Sequence, residues 1–288
     1  MTEGPVSGVV APGFEPVQAA FAANFAEDKE LGAGFAAYLN GALIVDLQGG
    51  YADRGKTQLW DERTIVPVFS TTKPIAALVL AHVIDALPAG YETPVADVWP
   101  EFGQSGKAEI TIAQLVSHQA GLPGFIEPID PGLWLAPERC AAALAALAPL
   151  WMPGTAHGYH PLSWGYLVGE FVNRIAGRSL GRVSTNVPVP KMLALSGEGD
   201  DSPIGRMFFV MEHRDGRILW DPALPELGEI NTATRAAFLT KWAAPDRGGA
   251  IWREIEIPSA NGIGTARAVA ELYGVYAHQG LLNGRRVI

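Results

Sequence analysis

The segment around Pro74 constrains the fold more than any other part of the sequence, because it is apolar on nearly every side. A helix running from about Ser70 to about Leu87 carries apolar residues all round its surface, at Ile75, Leu78, Val79, Leu80, Val83 and Ile84. Such a helix is stable only when other elements surround it. Pro74 lacks a backbone N–H and is tolerated only in a first turn, which fixes the start of the helix near Ser70 or Thr71. The sequence therefore predicts a buried central helix.

The composition indicates a globular chain that does not bind nucleic acid. Of 288 residues, 48% are hydrophobic and 18% are charged, which allows a sizeable core. Lys and Arg total 21 against 30 Asp and Glu, a formal charge of −9 without basic blocks, which argues against nucleic acid or an anionic membrane as the partner. The single cysteine, Cys140, excludes an internal disulfide and fits a reducing compartment. The longest apolar runs are too short to span a membrane, so we predict no membrane segment. Because the start lacks a basic region followed by an apolar stretch, we predict a cytoplasmic protein, with a processed export form as the alternative.

Helix and strand patterns predict an α+β fold. Residues 15–28 have apolar side chains four apart, which is typical of an amphipathic helix. The apolar runs 34–39 and 42–47 flank Asn40-Gly41, a strong hairpin signal. Further helices are predicted at 111–118, 137–147, 162–176 and 265–278, with a short strand or an extended segment at 64–69 and a candidate strand at 207–210.

This order of elements indicates an antiparallel sheet flanked by helices, with a helical region inserted. We predict one domain over residues 1–288. Its first part, 1–87, holds a helix, the hairpin and the central helix, and 88–230 is the inserted helix-rich region. The return segment 231–288 carries the late helix. The stretch 182–230 is irregular and predicts no clear organisation.

Ser70 and Lys73 are three residues apart at the start of the central helix, which places both side chains on one face. A serine hydroxyl is a weak nucleophile until a base removes its proton. Lysine is such a base only when neutral, and burial on an apolar helix lowers its pKa. The helix N-terminus also provides backbone N–H groups and positive potential beside the serine oxygen. This spacing also occurs by chance with a solvated lysine, but the apolar context favours the catalytic interpretation.

Tyr159 is a second candidate for proton transfer. It lies in Gly158-Tyr159-His160-Pro161, and Pro161 marks the first turn of the helix predicted at 162–176. The positive end of that helix favours a tyrosinate, which suits a base or a proton shuttle. The alternative is a loop tyrosine with a hydrogen-bonded hydroxyl. Taken together with Ser70 and Lys73, the catalytic interpretation is favoured.

These motifs resemble those of the serine β-lactamase and penicillin-binding-protein superfamily, and in particular its class C-like branch of family VIII carboxylesterases. Similar segments occur in the family's order at Leu115-Val-Ser-His-Gln-Ala-Gly-Leu-Pro123, Trp151-Met-Pro-Gly154 and Ala260-Asn-Gly-Ile-Gly-Thr-Ala-Arg267. The resemblance implies a serine hydrolase that cleaves small carboxylic esters without a cofactor. It makes Ser70 the acylated nucleophile and the Ser70 backbone N–H an oxyanion donor, while Lys73 and Tyr159 share general-base and general-acid duty.

The chain departs from the family pattern in two places. Class C β-lactamases have an asparagine two residues after the tyrosine, where this chain has Pro161, and this favours esters over β-lactams. A β-lactamase or a penicillin-binding-protein-like acyl transferase is the alternative. The third family motif lies on a core strand, whereas His278-Gln279-Gly280 ends the last predicted helix, so the resemblance implies further strands after Ile288. A catalytically silent binding module is therefore a third interpretation.

Residues beside Tyr159 are candidates for the substrate pocket. We expect His160 and Trp164 to line it, with a hydrogen-bonded loop histidine and a core tryptophan as the alternatives. His118 is expected to be structural. His157 and His160 are three apart, but no further His or Asp cluster completes a zinc set, so we expect no metal site.

Overall fold

The structure is a computed structural model that describes residues 5–26, 30–184, 193–195, 232–238, 254–282 and 284–288. The candidate strand at 207–210 and most of the stretch 182–230 lie outside these ranges. The described chain combines helices with antiparallel strands, so the predicted α+β class is confirmed. It divides into two compact units, one within Met1–Val66, Val187–Ala194 and Ile263–Ile288 and one within Pro67–Asn186 and Leu195–Gly262. The single domain over 1–288 stays a prediction.

The helices agree closely with the sequence pattern. The described helices are α1 (Glu15–Ala26), α2 (Thr72–Ile84), α3 (Val95–Val98), α4 (Ile112–Val116), α5 (Pro137–Ala146), α6 (Ser163–Ala176), α7 (Leu180–Ser184), α8 (Thr232–Phe238) and α9 (Ala266–Ala277). The predicted helices at α1, α4, α5, α6 and α9 are confirmed. None of the described helices combines the length and the apolar character needed to span a bilayer.

The strands are short apart from those of one sheet. The described strands are β1 (Val6–Val10), β2 (Gly32–Leu39), β3 (Ala42–Gly50), β4 (Val66–Pro67), β5 (Leu193–Leu195), β6 (Gly262–Gly264), β7 (Leu281–Leu282) and β8 (Arg285–Arg286). The strand predicted at 64–69 is reduced to β4, because the chain enters a 3-10 turn at Phe69–Thr71.

In the first unit, β1, β3 and β2 form an antiparallel sheet with β3 in the centre. The predicted hairpin is confirmed: Asn40 and Gly41 have φ angles of 50° and 79°, and two positive angles suit a two-residue turn between twisted strands. Helix α1 packs on β3, where a side chain at Gly49 would collide with the ring of Phe25. Strand β1 was not predicted. Its Gly8 has a φ of 119° and lies so close to the Asp46 carbonyl that no side chain fits.

In the second unit, α2 is the buried central helix that the sequence predicts. Ile75, Leu78 and Leu80 are at most 2% exposed, although the helix ends at Ile84 rather than near Leu87. Helices α6 and α7 pack against α2, and α5 packs against α6. The start of α2 is thus held inside a helical layer, which fixes the position of the residues that lead into it.

Candidate active site

The side chains of Ser70, Lys73 and Tyr159 meet at the start of α2. Lys73 Nζ lies 3.2 Å from Ser70 Oγ and 3.0 Å from the Tyr159 hydroxyl. The Tyr159 hydroxyl in turn lies 2.6 Å from Ser70 Oγ. Each of the three polar atoms is therefore within hydrogen-bonding distance of the other two, across 89 residues of sequence between Ser70 and Tyr159. The structure brings together all three residues for which the sequence predicts a catalytic role.

Ser70 is presented to solvent by a turn with unusual backbone geometry. It is exposed and lies in the 3-10 turn Phe69–Thr71, immediately before α2. Phe69 has a φ of 44°, a left-handed conformation that a bulky residue adopts only when its surroundings impose it. One such restraint is Thr72, whose hydroxyl donates to the Phe69 carbonyl at 2.5 Å and accepts from the Gly262 N–H at 2.9 Å. The backbone N–H of Ser70 belongs to the first turn, whose N–H groups have no acceptor within the helix.

Lys73 is buried among neutral hydrogen-bond acceptors. Its side chain is 7% exposed, and Nζ donates to the carbonyl of Pro161 at 2.7 Å and to that of Ser259 at 3.1 Å. Burial lowers the pKa of Lys73 to about 7. A neutral amine has two N–H groups and one lone pair. With both N–H groups on the carbonyls, the lone pair is left for the hydroxyls of Ser70 and Tyr159.

Tyr159 lies further from α6 than the sequence predicts. The helix begins at Ser163, so Pro161 precedes it instead of forming its first turn. The field of a helix terminus falls off within one turn. The influence of that helix on Tyr159 therefore stays a prediction, and Lys73 Nζ lies 4.8 Å from the centre of the Tyr159 ring.

His160 and Trp164 lie beneath the site rather than on its surface. His160 is fully buried, and its ring accepts from the Leu122 N–H at 2.9 Å. Trp164 is 2% exposed, and its indole N–H donates to the Val116 carbonyl at 3.1 Å. The prediction that these two side chains line a substrate pocket was wrong in its placement, because neither side chain presents a surface to a ligand. The alternatives of a hydrogen-bonded histidine and a core tryptophan fit the structure.

Metal ligands do not collect around the site in the described ranges. No group of three or more His, Cys, Asp or Glu side chains with metal-binding geometry occurs there. Cys140 is buried in α5, and burial raises the pKa of its thiol. The polar groups that meet at the described site are the Ser70 hydroxyl, the Lys73 amine and the Tyr159 phenol.

This arrangement agrees with the comparison with known proteins. The family described as Beta-lactamase matches residues 17–194, more than half of the chain. The chain belongs to the beta-lactamase family. The start of α2 and the Tyr159 segment both lie within the matched residues of this family.

Individual relatives of this beta-lactamase family chain extend over nearly all of it. The protein "Esterase/beta-lactamase LipL" of Mycobacterium tuberculosis (strain ATCC 25618 / H37Rv) is 32% identical over 295 residues, which covers 98% of this chain and 67% of that protein. A penicillin-binding protein homologue from Caulobacter crescentus has a TM-score of 0.83 and 41% identity, covering 99% of this chain and 74% of that one. A family VIII carboxylesterase has a TM-score of 0.77 and 35% identity, with the same two coverages. The protein is a hydrolase of the esterase and beta-lactamase superfamily, as its sequence motifs predict.

Sequence reasoning missed the groups that orient Lys73. Ser259 lies 186 residues away and contributes its backbone carbonyl, which no side-chain pattern reveals. The segment that carries it is folded by Asn261, whose carboxamide accepts from the Ile257 N–H at 2.9 Å and donates to the Ile255 carbonyl at 2.8 Å. The resemblance at 260–267 signalled this segment without indicating its role.

The residues His278-Gln279-Gly280 lie in the first unit. They follow α9, where the His278 N–H still donates to the Gly274 carbonyl, and Gly280 has a φ of 85°. They terminate a helix and do not form a strand.

Proposed function

We propose that the protein is a serine carboxylesterase that cleaves small carboxylic esters through an acyl-enzyme on Ser70. The observation that carries the proposal is the exposed Ser70 hydroxyl within hydrogen-bonding distance of both Lys73 Nζ and the Tyr159 hydroxyl. A nucleophile beside a buried amine with a pKa of about 7 is activated at neutral pH without a histidine.

In the proposed reaction, Lys73 enters as the neutral amine and takes the proton of the Ser70 hydroxyl, directly or through the Tyr159 hydroxyl. Ser70 Oγ attacks the ester carbonyl carbon, and the resulting oxyanion accepts a hydrogen bond from the Ser70 backbone N–H. The tetrahedral intermediate then collapses, and the leaving alkoxide receives the proton through Tyr159 or from Lys73. A water molecule reverses these steps, with the same two groups moving its proton, and releases the carboxylic acid and the free Ser70 hydroxyl.

Pro161 favours an ester over a β-lactam as the substrate. Its carbonyl accepts from Lys73 Nζ at 2.7 Å, so this position orients the amine through the backbone. A proline has no side-chain amide to donate to or accept from the amide of a β-lactam. The β-lactamase or acyl-transferase alternative stays open because one relative is described as an esterase/beta-lactamase.

The first experiment asks whether Ser70 reacts as a nucleophile. The protein is incubated with a fluorophosphonate probe and its intact mass is measured, with Ser70→Ala as the control. We expect a single addition that is absent in Ser70→Ala. A folded protein that stays unmodified contradicts the hydrolase proposal and favours the catalytically silent binding module.

The second experiment separates the ester from the β-lactam. Turnover of a p-nitrophenyl butyrate-type ester is compared with that of a chromogenic cephalosporin, and we expect the ester to be the better substrate. Lys73→Ala and Tyr159→Phe should each lower the ester kcat by about 10²- to 10⁴-fold, the range for a lost general acid or base. A faster cephalosporin reaction contradicts the ester assignment, and a near-wild-type rate removes the affected residue from the mechanism.

A further inference from the structure

Hydrogen bonds within the second unit hold the backbone on both sides of Tyr159. The Gly158 N–H donates to the His118 carbonyl at 3.1 Å. The His160 N–H donates to Nδ1 of the His118 ring, also at 3.1 Å. The ring of His160 turns back and contacts the Gly158 carbonyl through Nδ1 at 2.5 Å. The two residues that flank Tyr159 are thus tied to His118 and to each other.

These contacts assign one proton to each ring. His118 Nδ1 accepts from a backbone N–H, so the proton of a neutral His118 lies on Nε2. His160 Nε2 accepts from the Leu122 N–H at 2.9 Å, so Nδ1 of His160 carries the proton and donates to the Gly158 carbonyl. A second proton on the His118 ring would leave the His160 N–H without its acceptor, and a second proton on the His160 ring would do the same to the Leu122 N–H.

His118 also contacts the phenol of Tyr159. The two ring centres are 5.0 Å apart with the planes at 63°, an edge-on arrangement that buttresses the phenol on one side. His118 follows Ser117, the C-cap residue of α4, and has a φ of 63°, the left-handed conformation in which helices commonly end.

The electrostatic surroundings keep the His118 ring neutral. Burial, with the neighbouring His160, Lys73 and His157 adding repulsion, lowers the pKa of His118 to about 3. Burial likewise lowers the pKa of His160 to about 4. The acceptor on His118 is therefore available throughout the pH range in which a neutral Lys73 can act as a base.

From this geometry we propose that His118 is a positioning residue for Tyr159: its ring nitrogen fixes the backbone that follows the tyrosine, and its ring face fixes the phenol against Ser70 and Lys73. The inference rests on the proposed function, because the position of the phenol affects the rate only if Tyr159 takes part in proton transfer. A displacement of about 1 Å from the productive position can reduce a rate by about 100-fold.

Two variants that suit the left-handed backbone test this role without adding strain. His118→Gly removes both the acceptor and the ring, and glycine adopts positive φ freely. His118→Asn places a carboxamide oxygen where Nδ1 was, and asparagine tolerates the same conformation. His157→Asn is the local control, since His157 is an exposed residue whose ring also contacts that of His118, with a centre-to-centre distance of 5.8 Å. Each variant is measured for ester kcat and KM and for the rate of Ser70 labelling by a fluorophosphonate, in the wild-type and Tyr159→Phe backgrounds.

A positioning role predicts four results. His118→Gly lowers kcat and the labelling rate by about 30- to 100-fold with KM within about twofold, because the substrate contacts are unchanged. His118→Asn recovers most of that loss, and His157→Asn stays close to wild type. In the Tyr159→Phe background, His118→Gly causes no further loss beyond about threefold, because residues that act as one unit are not additive.

Other results overturn the inference and leave the proposed function separately testable. If Tyr159→Phe reduces the rate but His118→Gly does not, the role of Tyr159 stands and that of His118 fails. If His118→Gly is as damaging in the Tyr159→Phe background as in the wild type, His118 supports the fold in general and does not act through the phenol. If Tyr159→Phe itself keeps the wild-type rate, the proposed function fails at Tyr159. Should His118→Gly melt below the assay temperature, both backgrounds are measured at a lower temperature at which every variant is folded.

Discussion

The pH dependence of Ser70 acylation follows directly from the surroundings of Lys73. Lys73 is 7% exposed and its amine donates to two backbone carbonyls, and burial lowers its pKa from 10.5 to about 7. Only the neutral amine can accept the serine proton, so the rate of acylation should follow the neutral fraction. Activity is therefore present above the pKa and lost as the pH falls through it.

The expected magnitude comes from that pKa alone. With a pKa of about 7, the neutral fraction is about one tenth at pH 6 and about one hundredth at pH 5. The acylation rate should therefore fall about tenfold for each pH unit below 7 and level off above about pH 8. A solvated lysine would instead keep the rate rising in proportion to hydroxide up to about pH 10.

The assay is the second-order rate of Ser70 modification by a fluorophosphonate, followed by intact mass from about pH 5 to about pH 9 at constant ionic strength, with probe hydrolysis measured separately. His118 and His160 do not account for an inflection near neutrality, since burial lowers their pKa values to about 3 and about 4. His157→Asn controls for the remaining imidazole near the site, and it should keep the inflection. A profile that is flat between about pH 5 and about pH 8, or an inflection that moves with His157, would refute the assignment of Lys73 as the base.

Two further predictions concern the fit of Lys73 into the core. Lys73→Met should abolish turnover yet stabilise the fold. Because the pKa of Lys73 is lower in the folded than in the unfolded protein, the lysine lowers the free energy of unfolding by about 4 kcal/mol at pH 7 and by less as the pH rises. Urea unfolding at about pH 7 and about pH 9 checks this. After the lost hydrogen bonds are allowed for, the variant should gain about 1 to 4 kcal/mol in the free energy of unfolding, and the gain should be larger at the lower pH. A gain that grows with pH contradicts the prediction. Gly165→Ala should lower the stability by about 1 to 3 kcal/mol and should also lower kcat. The new Cβ would lie 2.5 Å from the Ser259 N and Oγ atoms and would displace the Ser259 carbonyl that accepts from Lys73. Gly169→Ala is the matched control on the same helix face, since its Cβ would meet only the Pro258 ring at 3.3 Å. Thermal melts and ester assays compare the two variants, and equal effects of Gly165→Ala and Gly169→Ala would contradict the reasoning.

Local sequence patterns predicted the elements well because each pattern reports a local constraint. The apolar surface of α2 and the position of Pro74 set a buried helix and its start within two residues of Thr72. Asn40-Gly41 set the hairpin because both residues adopt positive φ. Strand β1 was missed because its pairing depends on the distant β3 and on Gly8, which a strand pattern does not favour.

In the candidate site, too, the features set by local spacing could be predicted and those set by distant segments could not. Ser70 and Lys73 share one helix face, so their proximity could be predicted from a spacing of three. The position of Tyr159 relative to them followed only from a resemblance, and α6 begins at Ser163, two residues after the Pro161 that was predicted to lie in its first turn. His160 was misplaced because its flanking residues do not reveal that Leu122 supplies the partner for its ring.

The sequence by itself determined which chemical groups are present and which elements carry them: a serine and a lysine on one face of an apolar helix, a tyrosine in a separate segment, and a hairpin with its turn. Only the tertiary structure decided the state of those groups. The pKa of Lys73 depends on burial. The direction of its N–H groups depends on the carbonyls of Pro161 and Ser259, which come from segments 88 and 186 residues away. Backbone acceptors and burial are properties of packing between distant segments, and no side-chain pattern records them.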